Sequence, residues 1–180
     1  MRIFFSIIIL FACLPSFSQQ SPFSGSLPKI EGGSIQLSSF SGKKLLVITL
    51  PVIQSSSADS LLFALDTVSY GRQQTLQVIA VPSFEDGFSS AYKEQLKSWY
   101  RSILRAHVII TDGLQTRKSS GAQQHAMFKW LTHNELNENY DVDADSPGMK
   151  YFVSVDRVLY GVLSPHSTLW GRSVQRTLAQ

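Results

Sequence analysis

A polar run, Gln54, Ser55, Ser56 and Ser57, follows directly on an apolar stretch. A serine in that place is a hydrolytic nucleophile only when a base is hydrogen-bonded to its hydroxyl. The candidate bases are His107, His125, His133 and His166, and spacing pairs none of them with Ser55. The simpler expectation is that the serines cap the helix that follows. Glu85 and Asp86 are adjacent carboxylates ahead of Gly87. They have the chemistry of an acid/base pair, but in a glycine-flanked loop they are expected to face water. Asp141, Asp143 and Asp145 alternate as in a calcium loop. Counted from Asp141, however, the sixth position is Ser146 instead of glycine and the twelfth is Phe152 instead of glutamate, so a solvated acidic loop is expected. His125 and His133 lie ~12 Å apart along a helix, too far to share one metal, and read as surface histidines. His166, after Pro165, reads as a turn residue.

Sulfur is nearly absent. Cys13 is the only cysteine, and it sits in a segment with the marks of export. Arg2 supplies a positive start, residues 3–12 are almost unbroken apolar sequence, and Ser16 and Ser18 flank Phe17 as small residues before a cut. The apolar stretch is shorter than the ~20 residues needed to span a bilayer. Two readings stand side by side. In one, residues 1–18 are a cleaved signal peptide. In the other, 10–13 (Leu-Phe-Ala-Cys) is a lipidation motif and Cys13 becomes an acylated N-terminus. Either way the folded domain holds no thiol, no disulfide and no thiolate metal ligand.

Apolar residues make up 43% of the 180-residue chain and charged ones 16%, which supports a core and excludes disorder. The net charge of +3 is small and the cations are scattered, so nucleic-acid binding is not indicated. Membrane association would come only through an anchor at Cys13. Residues 19–34, rich in Ser, Pro and Gly, read as a linker, with a short hairpin expected over 30–40. Residues 45–50 and 76–81 read as strands buried on both faces, joined by a helix over 58–70 with Leu61, Leu62, Leu65 and Val68 on one stripe. That is a βαβ unit, and its right-handed crossover makes the strands parallel. A helix over 90–104, a short strand at 107–110, a polar loop over 111–123 and a helix over 124–135 follow. Strands over 150–155 and 158–163 read as a hairpin turning at Asp156-Arg157, and a helix over 167–178 closes the chain with Trp170, Val174 and Leu178 on one face. Trp99, Tyr100, Trp130 and Trp170 are expected to be core or half-buried. The order predicts an α/β domain over 35–180: a three-layer sandwich with a central mixed β-sheet flanked by helices.

This plan resembles the thioredoxin fold, and more specifically the glutathione peroxidase family. Four stretches carry the resemblance: Gly42-Lys43 with the strand after it, VIAVPSFED at 78–86, HAMFKWLT at 125–132, and MKYFVSVDRVLYGVLSP at 149–165. The resemblance implies hydroperoxide reduction by a cysteine or selenocysteine at the end of the first main strand, which falls here on Gln54 or Ser55. It implies a glutamine near Glu85 and a Trp-Asn pair on Ser146-Pro147. It also implies, from thioredoxin-like proteins, a cis-proline at Pro147. None of the family's four functional residues stands at its place. The expectation is therefore an exported protein of this fold without the redox-active cysteine: a non-catalytic module with no cofactor, for an unknown protein or small-molecule ligand. The alternatives are a repurposed non-thiol site around Ser55, Glu85 and Pro147, or hydroperoxide reduction as in the family.

Overall fold

The two most apolar runs in the chain become neighbouring strands at the centre of a sheet. A computed structural model describes Phe23 and residues 25–180; residues 1–18, read above as an export signal, and Cys13 within them lie outside the described residues. β3 (Lys44–Leu50) and β4 (Leu76–Pro82) are parallel, paired from Lys44 with Leu76 to Leu50 with Pro82. Every residue from 45 to 50 and from 76 to 82 is buried, which is why neither strand alternates in polarity. β5 (Val108–Ile110) adds in parallel beside β4. β6 (Lys150–Val153) runs antiparallel beside β3, and β7 (Leu159–Leu163) antiparallel beside β6. The sheet order is β5-β4-β3-β6-β7.

Side chains of alternate sign along each strand serve two cores. Leu46, Ile48, Val78, Ala80 and Phe152 pack under α1 (Ser56–Tyr70), α2 (Lys93–Ile103) and α5 (Arg172–Ala179). Leu45, Val47, Ile79, Tyr151 and Val153 pack on the other face under α3 (Ala126–Thr132) and the N-terminal segment. A single turn, α4 (Asn134–Asn137), follows α3. This is the three-layer mixed-sheet sandwich that the element order predicts.

Three details differ from the expectations. The N-terminal hairpin is β1 (Ser26–Pro28) and β2 (Ser34–Gln36), so it begins inside the stretch that composition reads as a linker. Leu27 and Ile30 are buried, and the Ile30 N–H donates to Ile110 O while Asp112 N–H donates to Pro28 O, which ties the hairpin to β5. Serine and glycine richness hid two core side chains. The last helix starts at Arg172, two residues after Trp170, which is exposed where a half-buried residue was expected; Leu169 takes the buried place instead. The polar loop over 111–123 contains a 3-10 turn, Lys118–Gln123, held by Glu85 as described below.

Gly113 owes its identity to packing. A Cβ there would lie 2.0 Å from Cδ1 of the buried Phe88 ring, itself edge-on to Phe84. Gly113→Ala is expected to cost about 1–3 kcal/mol in urea denaturation. Gly71→Ala, whose Cβ would make only an ordinary 3.6 Å contact, is the matched control and is expected to be near neutral.

Candidate functional site

The polar run after β3 folds as a helix start. Ser55 is extended, with φ −159°, and its Oγ accepts from the Ala58 N–H at 3.2 Å. Its other close contact is Ser57 Oγ at 3.1 Å. α2 fixes both ends of this loop from beneath: the Tyr100 hydroxyl donates to Pro51 O, just after β3, at 2.8 Å, and Trp99 Nε1 donates to Asp59 Oδ1, in the first turn of α1, at 2.7 Å. Burial holds the Tyr100 phenol well above its ordinary range, so it stays a donor. Gln54 and Ile53 project into solvent.

A second wall is the turn into β6, and Thr49, the one polar residue of its strand run, holds it. Thr49 Oγ1 donates to Ser146 O at 2.9 Å and accepts from Met149 N–H at 3.0 Å; Thr49 O accepts from Gly148 N–H and Thr49 N–H donates to Met149 O. Pro147 follows a trans peptide bond, not the cis bond the resemblance implied. Gly148 takes φ +90°, the left-handed turn that glycine adopts without strain.

Lys150 joins this wall to a third. It is fully buried, opposite Ile48 in the register, and no carboxylate is bonded to it among the described residues. Its ammonium donates to Gly148 O at 2.7 Å and to Ser164 O at 3.2 Å. Burial without a counter-charge lowers its pKa from the ordinary 10.5 to about 8. The Ser164 carbonyl opens the segment between β7 and α5, which carries Pro165, His166, Ser167, Thr168 and Trp170.

These three walls enclose a groove of about 1080 Å³, reaching from Ser55 and Phe63 on α1 across Pro147 to Trp170. It is at the upper end of small-ligand clefts, and it lies at the end of β3 where open α/β sheets place ligands. Ser55 and Pro147 both line this cavity.

Glu85 does not line that cavity. It turns away from solvent, against the expectation that it and Asp86 face water. Its carboxylate accepts from Ser83 Oγ, from the Thr116 and Arg117 N–H groups and from Ser120 Oγ. Burial pushes this carboxyl up, but the hydrogen bonds from Ser120, Ser83 and Thr116 outweigh it and hold the pKa at about 2. Asp86, with 6% of its side chain exposed, pairs with Arg117; burial, then the Glu85 and Asp145 charges, keep its carboxyl above the ordinary value despite that pair. The two carboxylates are a latch for the 115–120 segment. Sequence gave no sign of it, because the covering segment lies some thirty residues away. The acidic loop is also tied down: Lys118 pairs with Asp141, and its N–H donates to Asp143 at 2.9 Å.

None of the four histidines is hydrogen-bonded to Ser55 among the described residues. His107 sits beside Asp66, and His133 contacts the Lys129 carbonyl. His125 is half-buried, not a surface residue: its Nδ1 caps α3 by accepting from Met127 N–H at 3.2 Å, and burial lowers its pKa. His166 lines the groove but is bonded to nothing there. Lys150 and Trp170 complete the site and were missed as such. The only signals were a lysine inside an otherwise apolar strand and an aromatic residue just ahead of a helix.

No protein-family model matches the chain, and no curated protein matches it. Solved structures do. The apo form of Trgpx aligns with TM-score 0.63 at 15% identity, over 91% of this chain and 98% of that one. T. cruzi GPX1 aligns with TM-score 0.59 at 13% identity, over 89% and 97%. A secreted Mycobacterium tuberculosis disulfide oxidoreductase homologous to E. coli DsbE aligns with TM-score 0.55 at 12% identity, over 88% and 98%. At these identities the likeness shows the fold: the chain is a thioredoxin-like α/β sandwich.

Two titrations follow. Glu85 adds stability that is complete above pH 4.5 and lost as pH falls toward 2, since its folded pKa lies below its unfolded one. Glu85→Gln is expected to cost on the order of 1 kcal/mol at pH 7 in urea denaturation, solvent screening a partly exposed carboxylate, with the difference closing between pH 4.5 and 2. Lys150 has the opposite consequence at high pH. The folded protein gives up that proton near pH 8 while the unfolded chain keeps it to 10.5, so stability relative to Lys150→Met is expected to rise across that window. Parallel denaturation curves of the two proteins from pH 7 to 10.5 measure it.

Proposed function

We propose that this is an exported, glutathione peroxidase-like member of the thioredoxin-fold proteins that has no redox-active cysteine and acts as a non-catalytic binding module. One observation carries this reading. The resemblance puts the nucleophile at Gln54 or Ser55; Gln54 is exposed, and the Ser55 hydroxyl caps α1. A hydroxyl has no low-pKa route to the soft, oxidisable anion that peroxide reduction uses. The repurposed-enzyme alternative loses ground for the same reason: Ser55 has no bonded base, and Glu85 belongs to a separate latch. What remains at the end of β3 is a groove suited to holding a ligand.

Export rests on the N-terminal pattern of residues 1–18. No helix of the described residues is long and apolar enough to cross a membrane. Structures of the same fold include the secreted mycobacterial oxidoreductase and an exposed lipoprotein thioredoxin from Streptococcus pneumoniae, which support a place in the envelope, soluble or anchored through Cys13.

The test is a hydroperoxide-reduction assay on the purified chain and on Cys13→Ser, with glutathione and with thioredoxin as reductants. Both proteins are expected to match a heat-denatured control. Turnover clearly above it in the Cys13→Ser protein defeats the reading.

A further inference from the structure

The groove presents an unusual combination of side chains. Trp170 is 55% exposed and Phe63 is 67% exposed, so two aromatic faces stand open at its margins. Between β7 and α5, His166, Ser167, Thr168 and Trp170 line the cavity, and none of their side chains is hydrogen-bonded to the protein among the described residues. Four residues with polar side-chain atoms thus stand along one wall.

Charge and backbone accounting narrow that ligand. No lysine or arginine lines the groove. Lys150 beneath it is fully buried and directed at two carbonyls. The one lining carboxylate, Asp59, already accepts from Trp99. The side chains of the lining thus offer a charged ligand one carboxylate and no ammonium or guanidinium. An extended peptide adding to a strand needs free backbone N–H and C=O groups. In the turn beside the groove those groups are committed: Ser146 O, Gly148 N–H, Gly148 O and Met149 N–H are all bonded to Thr49 or Lys150. What the groove offers is side-chain hydroxyls, an imidazole and flat aromatic faces over an apolar floor. That is the chemistry that grips a sugar ring, whose C–H face stacks on an indole while its hydroxyls bond to polar tips.

The geometry points to a neutral carbohydrate as the ligand of this groove, a short glycan stacked on Trp170 and hydrogen-bonded to the His166–Thr168 wall. This rests on the binding-module reading above and names its ligand class.

The experiment follows the indole N–H resonances of the three tryptophans in ¹⁵N-labelled full-length protein, with Trp170 assigned through Trp170→Phe. Chitotetraose, cellotetraose and maltotetraose are titrated to millimolar concentration, alongside a blocked neutral peptide. At least one saccharide is expected to shift the Trp170 resonance saturably and to leave in place that of Trp130, which packs on the other face of the sheet. Trp170→Ala is expected to weaken that binding roughly tenfold, with the melting temperature unchanged because the side chain is exposed. The double variant Ser167→Ala/Thr168→Val is expected to weaken it as well. Three results overturn the proposal: no saccharide moves the Trp170 resonance, a saccharide binds equally well to both variants, or only the peptide binds. In the last case the module reading stands and the glycan falls; hydroperoxide turnover in the earlier assay defeats the module reading itself.

Discussion

The groove exists because a buried ammonium has nowhere to go but two backbone carbonyls. Lys150 enters from the first position of β6 on the face that packs against α1 and α5, and it donates to Gly148 O and Ser164 O. Those carbonyls belong to two different walls. Thr49, the penultimate residue of β3, adds four hydrogen bonds to the 146–149 turn. A central strand, a tight turn and the β7–α5 segment are thereby locked together by two side chains. Burying a cation with only neutral acceptors is costly, and the depressed pKa of Lys150 records that cost.

Beside this frame stands a helix start from which the expected chemistry is missing. The fold places a loop at the end of β3 and aims the first turn of α1 at the cavity. Ser55 stands there as a cap, its Oγ accepting from Ala58 N–H. Architecture and reactivity are separate properties here: strand order, crossover helix and closing hairpin define a thioredoxin-like fold, and the fold by itself assigns no chemistry to the end of β3.

Much of the architecture was readable in the chain because burial on both faces leaves a plain signature. β3 and β4 are apolar runs, α1 shows a 3-to-4-residue stripe, and the closing hairpin is flanked by turn residues. The helix cap at Ser55 followed from residue type alone. What could not be read depended on distant partners. Glu85 and Asp86 looked like solvated carboxylates until Ser120 and Arg117, more than thirty residues on, folded over them. Trp170 matched a helical stripe with Val174 and Leu178, yet the chain enters the helix only at Arg172, so its ring stays outside the core. Composition concealed Leu27 and Ile30 among serines and glycines.

The N-terminal hairpin has a bearing on how this molecule meets others. Through Ile30 and Pro28 it takes up the outward backbone groups at 110 and 112, which would otherwise stand open along the short edge strand. Unsheltered sheet margins invite extra strands from neighbouring chains and, through them, aggregation. With that margin closed, β7 is the other end of the sheet order. Its pairing with β6 is interrupted by an irregularity at Phe152 and Val153 that spoils a regular template. A chain sheltered in this way offers neighbouring chains little to pair with.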